Sequence, residues 1–201
     1  MARISPRPAD ELGHLSERFE LMGAVMGFVP NSLPTMARID GLAEAFSDLA
    51  AVVVGNPRVP MALTQMVAHV ASNTSGCRYC QAHTAHSAKN SDVSEEKLAE
   101  LWMWDTSEHF DDAERAALTL AFHTASVPNT ATDQHFDELA RHFDEEQVLG
   151  LVATISLFGY LNRWNDTLAT DLEEKPTAFA QRVLAGADWE PGKHGVARPA
   201  S

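Results

Sequence analysis

This sequence predicts an all-α fold, a single-domain helical bundle of about eight helices, on three observations. Apolar residues recur three and four apart in segment after segment, between breaks marked by Pro, Gly and Asn. No stretch sustains the period-two alternation of a strand with its hairpin signals, and no glycine-rich phosphate loop is present. The 201 residues, 45% of them hydrophobic, match one domain and suffice to bury one core.

Residues 1–8 alternate Pro and Arg without apolar spacing and read as a flexible N-terminal arm. A first helix is expected from about Ala9 to Val25, with Leu12, Leu15, Phe19 and Met22 on one stripe. Val29-Pro30-Asn31-Ser32 breaks it, and Pro34 opens a second helix that carries Met36, Ile39, Leu42, Phe46 and Leu49 as far as Gly55-Asn56-Pro57. The third begins after Pro60 and ends near Ser72, where Asn73, Thr74, Ser75 and Gly76 are turn and cap residues. A fourth starts near Cys77. Ser94 is the expected N-cap of a helix through Leu98, Leu101 and Trp102, and Asp111-Asp112-Ala113-Glu114 puts acids in the first turn of another.

Thr132 to His142 and Asp144 to about Leu168 complete the set. The latter is nearly apolar on all sides from Val148 to Leu161, so it is either central in its subunit or covered by another subunit. A short amphipathic piece, Ala178 to Ala185, closes a helical domain set at residues 9–185. Residues 186–201, including Trp189-Glu190-Pro191-Gly192-Lys193, read as a C-terminal tail, disordered or laid on a partner.

The chemistry concentrates at the start of the fourth helix, in Cys77-Arg78-Tyr79-Cys80. Unpaired N–H groups and the macrodipole at a helix N-terminus favour a thiolate and draw a cysteine pKa from about 8.5 towards neutrality. His83 and His86 follow at three-residue steps and could accept or return protons. Gln65, His69 and Ser72 share one face of the third helix and would look onto the thiols if the two helices pack as a hairpin. Zinc is the rival reading, since Cys77, Cys80, His83 and His86 are all ligand types. At about 100° per residue, however, Cys77 and His86 point to opposite sides of one helix. No second Cys-x-x-Cys closes a site either. The expectation is a redox pair with no metal and no cofactor. By their local pattern His69 is a satisfied core histidine, His86 a solvated one, and Arg163 with Asp166 a self-sufficient i, i+3 ion pair. Trp102, Trp104 and Trp164 read as core or interface anchors.

Lys and Arg total 15 against 28 Asp and Glu, a formal net charge of -13. Such a surface repels nucleic acid and anionic membrane, so neither is an expected partner. The N-terminus lacks the apolar run of a signal peptide, and Val148 to Leu161 is too short to span a bilayer. A cytoplasmic location, where thiols stay reduced, is expected.

Cys77-Arg78-Tyr79-Cys80-Gln81-Ala82-His83-Thr84-Ala85, preceded by a helix with a polar residue twelve positions before the first cysteine, resembles a known core. It is that of the carboxymuconolactone decarboxylase and alkyl hydroperoxidase D superfamily, in particular the peroxidase-related members. Phe158 to Asp166 is similar to their closing helix and Gly27 to Ser32 to their opening segment, so the resemblance runs over roughly residues 20 to 172. It implies an alkyl hydroperoxidase D-like bundle assembled as a homo-oligomer, trimer or hexamer. It also implies that Cys80 is the peroxidatic thiol and Cys77 the more accessible resolving one, whereas helix electrostatics alone favour Cys77 as the lower-pKa thiol; the order stays open.

Two positions depart from the pattern. Its glutamate is here Gln65, which cannot act as a carboxylate base, and its histidine four residues after the second cysteine is here Thr84, with His83 about 100° away around the helix. The expected function is a thiol-dependent hydroperoxide reductase or disulfide oxidoreductase with Cys80, Cys77, His83, Gln65 and His69 as candidate catalytic residues. Its expected partners are a small hydroperoxide and an external dithiol or protein reductant. The alternative is a non-enzymatic redox sensor or assembly protein. Lactone decarboxylation is disfavoured because a cysteine pair has no evident part in it.

Overall fold

The computed structural model describes residues 2–195, and among these there are ten α-helices and no strand. They are α1 Ser16–Met26, α2 Ser32–Met36, α3 Leu42–Val54, α4 Met61–Thr74, α5 Arg78–Lys89, α6 Glu95–Ala99, α7 Asp112–Ala125, α8 Asp133–Leu139, α9 Glu145–Leu168 and α10 Glu174–Val183. Of the two helices beyond eight, one is α10, over the expected short amphipathic piece, and the other comes from a break inside the second expected segment. The first expected helix starts as two 3-10 turns, Ala9–Glu11 and Gly13–Leu15, before α1. The second is interrupted between Met36 and Leu42, where Gly41 takes a φ of 80° that few other residues adopt.

Helix α4 is the axis of the molecule. Its residues from Leu63 to Ser72 are all buried, because α5, α7 and α9 enclose it. Ala68 and Ala71, both at 0% exposure, let those neighbours approach closely. Met66, Val67 and Val70 pack there with Ala82 and Ala85 of α5, Leu118 and Leu120 of α7, and Leu151 and Ile155 of α9. Each fully buried aliphatic side chain of this kind contributes roughly 1.5–3 kcal/mol.

A second, smaller cluster gathers Leu12, Leu15, Leu33, Met36, Ala37 and Ala43, and Leu161 of α9 touches both clusters. The long apolar helix is thus central in its own subunit, although Leu149 on it remains 67% exposed. The described N-terminal residues lie against this scaffold. Arg3 N–H donates to the Leu168 carbonyl at 2.8 Å and Arg7 N–H to that of Pro34 at 2.9 Å, so the arm is held on the end of α9 and on α2.

The segment read as a tail, disordered or on a partner, packs on its own chain as far as residue 195. Trp189 is 4% exposed, and Leu172 N–H donates to the His194 carbonyl at 2.9 Å. The remainder of that segment lies outside the described residues. Among the described residues no helix is long and apolar enough to cross a membrane.

Candidate active site

A three-residue link places the thiols. Helix α4 ends in a Schellman pair: Gly76 N–H donates to the Asn73 carbonyl at 3.0 Å and Cys77 N–H to that of Ser72 at 3.1 Å. The motif needs a left-handed residue, and Gly76 has φ 72°. Cys77, having closed α4, then opens α5 as its N-cap, its Sγ accepting the Cys80 N–H at 3.4 Å. Both thiols are free and buried, at 0% and 2% exposure, so Cys77 is not the more accessible of the two. Asn165 of α9, itself fully buried, donates its amide to Cys80 Sγ at 3.7 Å. Burial pushes the Cys80 thiol well up, and neighbouring Cys77 adds to this, against the opposing pull of the Asn165 amide.

His69 and Gln65 both point inward from α4. His69 Nδ1–H donates to Thr84 Oγ1 at 3.0 Å, while the Thr84 hydroxyl donates to the Cys80 carbonyl at 2.7 Å. An imidazole from α4 therefore meets the side chain that stands where the resemblance has a histidine. Burial, only partly offset by a backbone hydrogen bond at Gln81, lowers the His69 pKa to about 4, so the ring is neutral at pH 7. Gln65 donates its amide to Met61 Sδ at 3.6 Å, and no hydrogen bond joins it to either thiol among the described residues.

His83 belongs to a separate buried network. Its Nε2–H donates to Glu173 Oε2 at 2.5 Å, its ring stacks on Tyr79 at 4.2 Å, and Phe28 stands edge-on to it at 5.0 Å. The other Glu173 oxygen accepts from Tyr79 Oη at 2.8 Å and from Asn31 N–H at 2.5 Å. Burial pushes the Glu173 carboxyl up, but His83, the Asn31 N–H and the backbone N–H of Glu173 itself outweigh it and hold the group below the usual carboxylate range. His86 is half-buried between Phe28 and Phe179 and is not a solvated residue; burial, then nearby His83 and Lys175, lower its pKa.

The remaining groups come from distant sequence. Asp166 does not pair with Arg163, whose Nη1 donates to the Gly159 carbonyl at 3.1 Å within its own helix. Asp166 Oδ2 instead accepts from Lys193 Nζ at 2.7 Å, and its Oδ1 lies 3.5 Å from His194 Nε2. Cys77 Sγ, Asp166 and His194 offer atoms all within 4.8 Å of one another. Among the described residues this set, and not Cys77, Cys80, His83 and His86, brings three ligand-type atoms together, with Asp166 already paired to Lys193. His194 Nε2 and Asn165 Oδ1 are buried without a hydrogen-bond partner, so the dithiol is flanked by unspent polar capacity. Glu173, Asn165, Asp166 and His194 were not legible as site residues. The only signal was the chemistry-bearing Asn, Asp, Glu and His types near Phe158–Asp166 and Lys193.

Residues 40–123, which include α4, both cysteines and most of α7, match the carboxymuconolactone decarboxylase family. The uncharacterized protein YdfG of Bacillus subtilis (strain 168) is 30% identical over 96 residues, 47% of this chain, which spans 63% of that relative's length. The debrominase Bmp8, solved as a cysteine-to-alanine variant in complex with 2,3,4-tribromopyrrole, superposes with a TM-score of 0.84 at 32% identity, covering 90% of this chain and 96% of that one. An uncharacterized peroxidase-related protein with an alkylhydroperoxidase AhpD core, from Ralstonia eutropha JMP134, superposes with a TM-score of 0.78 at 18% identity, over 91% of this chain and 96% of that one. Through residues 40–123, with their Cys77–Cys80 core, the chain belongs to the carboxymuconolactone decarboxylase family, and its fold is that of the alkylhydroperoxidase AhpD core.

Proposed function

We propose that this protein is a two-cysteine reductase of small hydroperoxides. The observation that carries the reading is the free, buried Cys77–Cys80 pair at the start of α5, one sulfur already bonded to the backbone of the other residue. One thiolate attacks the O–O bond: an S–O bond forms, the O–O bond breaks, and the alcohol leaves with a proton. The second thiol attacks the resulting sulfenic sulfur, forming the disulfide and releasing water, and an external dithiol returns the two electrons. Enclosure supports this chemistry, since a site shut from water protects the sulfenic acid from further oxidation. His69 reaches the Cys80 carbonyl through the Thr84 hydroxyl, and His83 is held on Glu173. We infer a cytoplasmic setting, where a dithiol pool keeps the pair reduced.

The likeness to Bmp8 favours one second reading, reductive debromination of a brominated pyrrole. There C–Br becomes C–H, hydrogen bromide leaves, and the same two thiols become a disulfide. Both readings are tested by supplying dithiothreitol with either cumene hydroperoxide or 2,3,4-tribromopyrrole and following peroxide loss and bromide release. Many turnovers of hydroperoxide, abolished in a Cys77→Ser, Cys80→Ser double variant, are expected. Bromide release without peroxide turnover would transfer the assignment to the second reading, and one oxidation per chain without turnover would make the protein a sensor.

A further inference from the structure

His194 is the most completely buried histidine among the described residues, at 0% exposure, and it stands against Cys77. Its Nδ1–H is spent on the Thr170 carbonyl at 2.8 Å, which fixes the tautomer and leaves the lone pair on Nε2. That lone pair faces Asp166 Oδ1 at 3.5 Å with no hydrogen bond between them. A buried lone pair without a partner, set beside a half-buried carboxylate, calls for a proton, and the thiol beside both is that of Cys77, whose sulfur lies within 4.8 Å of each. The titratable groups around the ring are Cys77 and Tyr79 at the start of α5, Asp166 of α9, and Lys193 of its own turn. Burial, more than the opposing Thr170 and Asp166 contacts, lowers the His194 pKa, which favours the neutral ring. Cys80 Sγ meets the Asn165 amide instead.

We propose that His194 is the proton acceptor for Cys77, that Asp166 holds the resulting imidazolium, and that Cys77 is in consequence the thiol that attacks substrate first. The inference rests on the reductase reading and reverses the order that the family resemblance implies. In the first step the Cys77 proton moves to His194 Nε2 as the sulfur attacks the hydroperoxide. The S–O bond forms, the O–O bond breaks, and the departing alkoxide takes the proton back from His194. In the second step Cys80 sulfur attacks the Cys77 sulfenic sulfur, the S–S bond forms, and hydroxide leaves with the Cys80 proton as water.

The test uses the full chain in a Cys80→Ser background and follows iodoacetamide alkylation of Cys77 against pH. His194→Gln is expected to move the pH midpoint of alkylation up by about one unit and to slow the reaction at pH 7 about tenfold. Asp166→Asn should move it in the same direction by less. An unchanged profile in His194→Gln would overturn the proposal, as would one zinc ion bound per chain and lost in that variant. A second readout needs no change at His194: its ring titration, followed by NMR, should shift in Cys77→Ser and stay put in Cys80→Ser, and equal titration in both would also overturn it. Dimedone trapping should label Cys77 in Cys80→Ser and leave Cys80 unlabelled in Cys77→Ser; the reverse pattern would restore the other order. Alkylation needs no peroxide, so a shifted profile in a chain that consumes no hydroperoxide counts against the reductase reading alone.

Discussion

His69 is a neutral ring at pH 7 because water cannot reach it, and this has a measurable cost in acid. The unfolded chain takes up that proton near pH 6.5, whereas the folded chain does so only near pH 4. Between these values the unfolded state binds more protons, so stability falls as pH is lowered through the window, by on the order of 3 kcal/mol in all. Urea melts at pH 7 and pH 4.5 should show the loss, and a His69→Asn variant should flatten it. Glu173 behaves differently. Its folded pKa is depressed below the ordinary value of 4.5, so its contribution is complete above that value and disappears as pH falls through the lower folded one. Glu173→Gln should therefore cost about 1–3 kcal/mol at pH 7, with the gap closing in stronger acid. The cysteines could be read from sequence because thiols three apart at a helix start are informative by type alone. The partners of Asp166 and His83 could not, because they lie 27 and 90 residues away and depend on how the chain after α9 returns.

The elements divide along the same line. Caps are local, and Ser94, Asp111 and Asp144 each accept the N–H three residues on, as the sequence suggested for Ser94. Asp144 with Gln147 forms a reciprocal capping box at the start of α9, and Arg58 Nη2 reaches the same carboxylate at 2.5 Å. Asp144→Ala should destabilise the protein by about 1 kcal/mol in urea melts. Breaks within apolar runs were harder to read, since Gly41 continues a helical spacing while its backbone leaves the helix. Gly76 is the break that matters to the site. A Cβ there meets nothing within 4 Å, so Gly76→Ala isolates backbone strain at φ 72° and should cost about 1–2 kcal/mol. Since Cys77 is tied to that turn, the same variant should also alter the alkylation rate of Cys77 under native conditions.

At the scale of the molecule, the apolar surface is larger than the core explains. Leu21 and Val25 on α1, Leu49 and Val52 on α3, and Leu149 on α9 are all more than half exposed. The sequence left open whether α9 is covered by its own subunit or by another. Its middle is covered by its own, and the uncovered apolar side chains sit on it and on its neighbours α1 and α3. Burial against sister chains is the expected outlet. Light scattering should give a multiple of 21.9 kDa, with a trimer or hexamer expected. Each chain carries a formal charge of -13, so association should tighten with salt as mutual repulsion is screened. Val52→Asp should shift the population towards the single chain without changing its helical circular dichroism.

The docking of the Gly192–His194 turn against Cys77 joins a thiol made early to an imidazole made late. At a synthesis rate of roughly 5–20 residues per second, α4 and α5 leave the ribosome on the order of ten seconds before His194 does. During that interval the dithiol has a helix start but neither its cover nor the base proposed for it. If His194 is that base, the pair becomes reactive only once translation has passed residue 194. A message broken upstream of that point would then direct the synthesis of most of the bundle, yet its product would hold the thiols without His194 beside them.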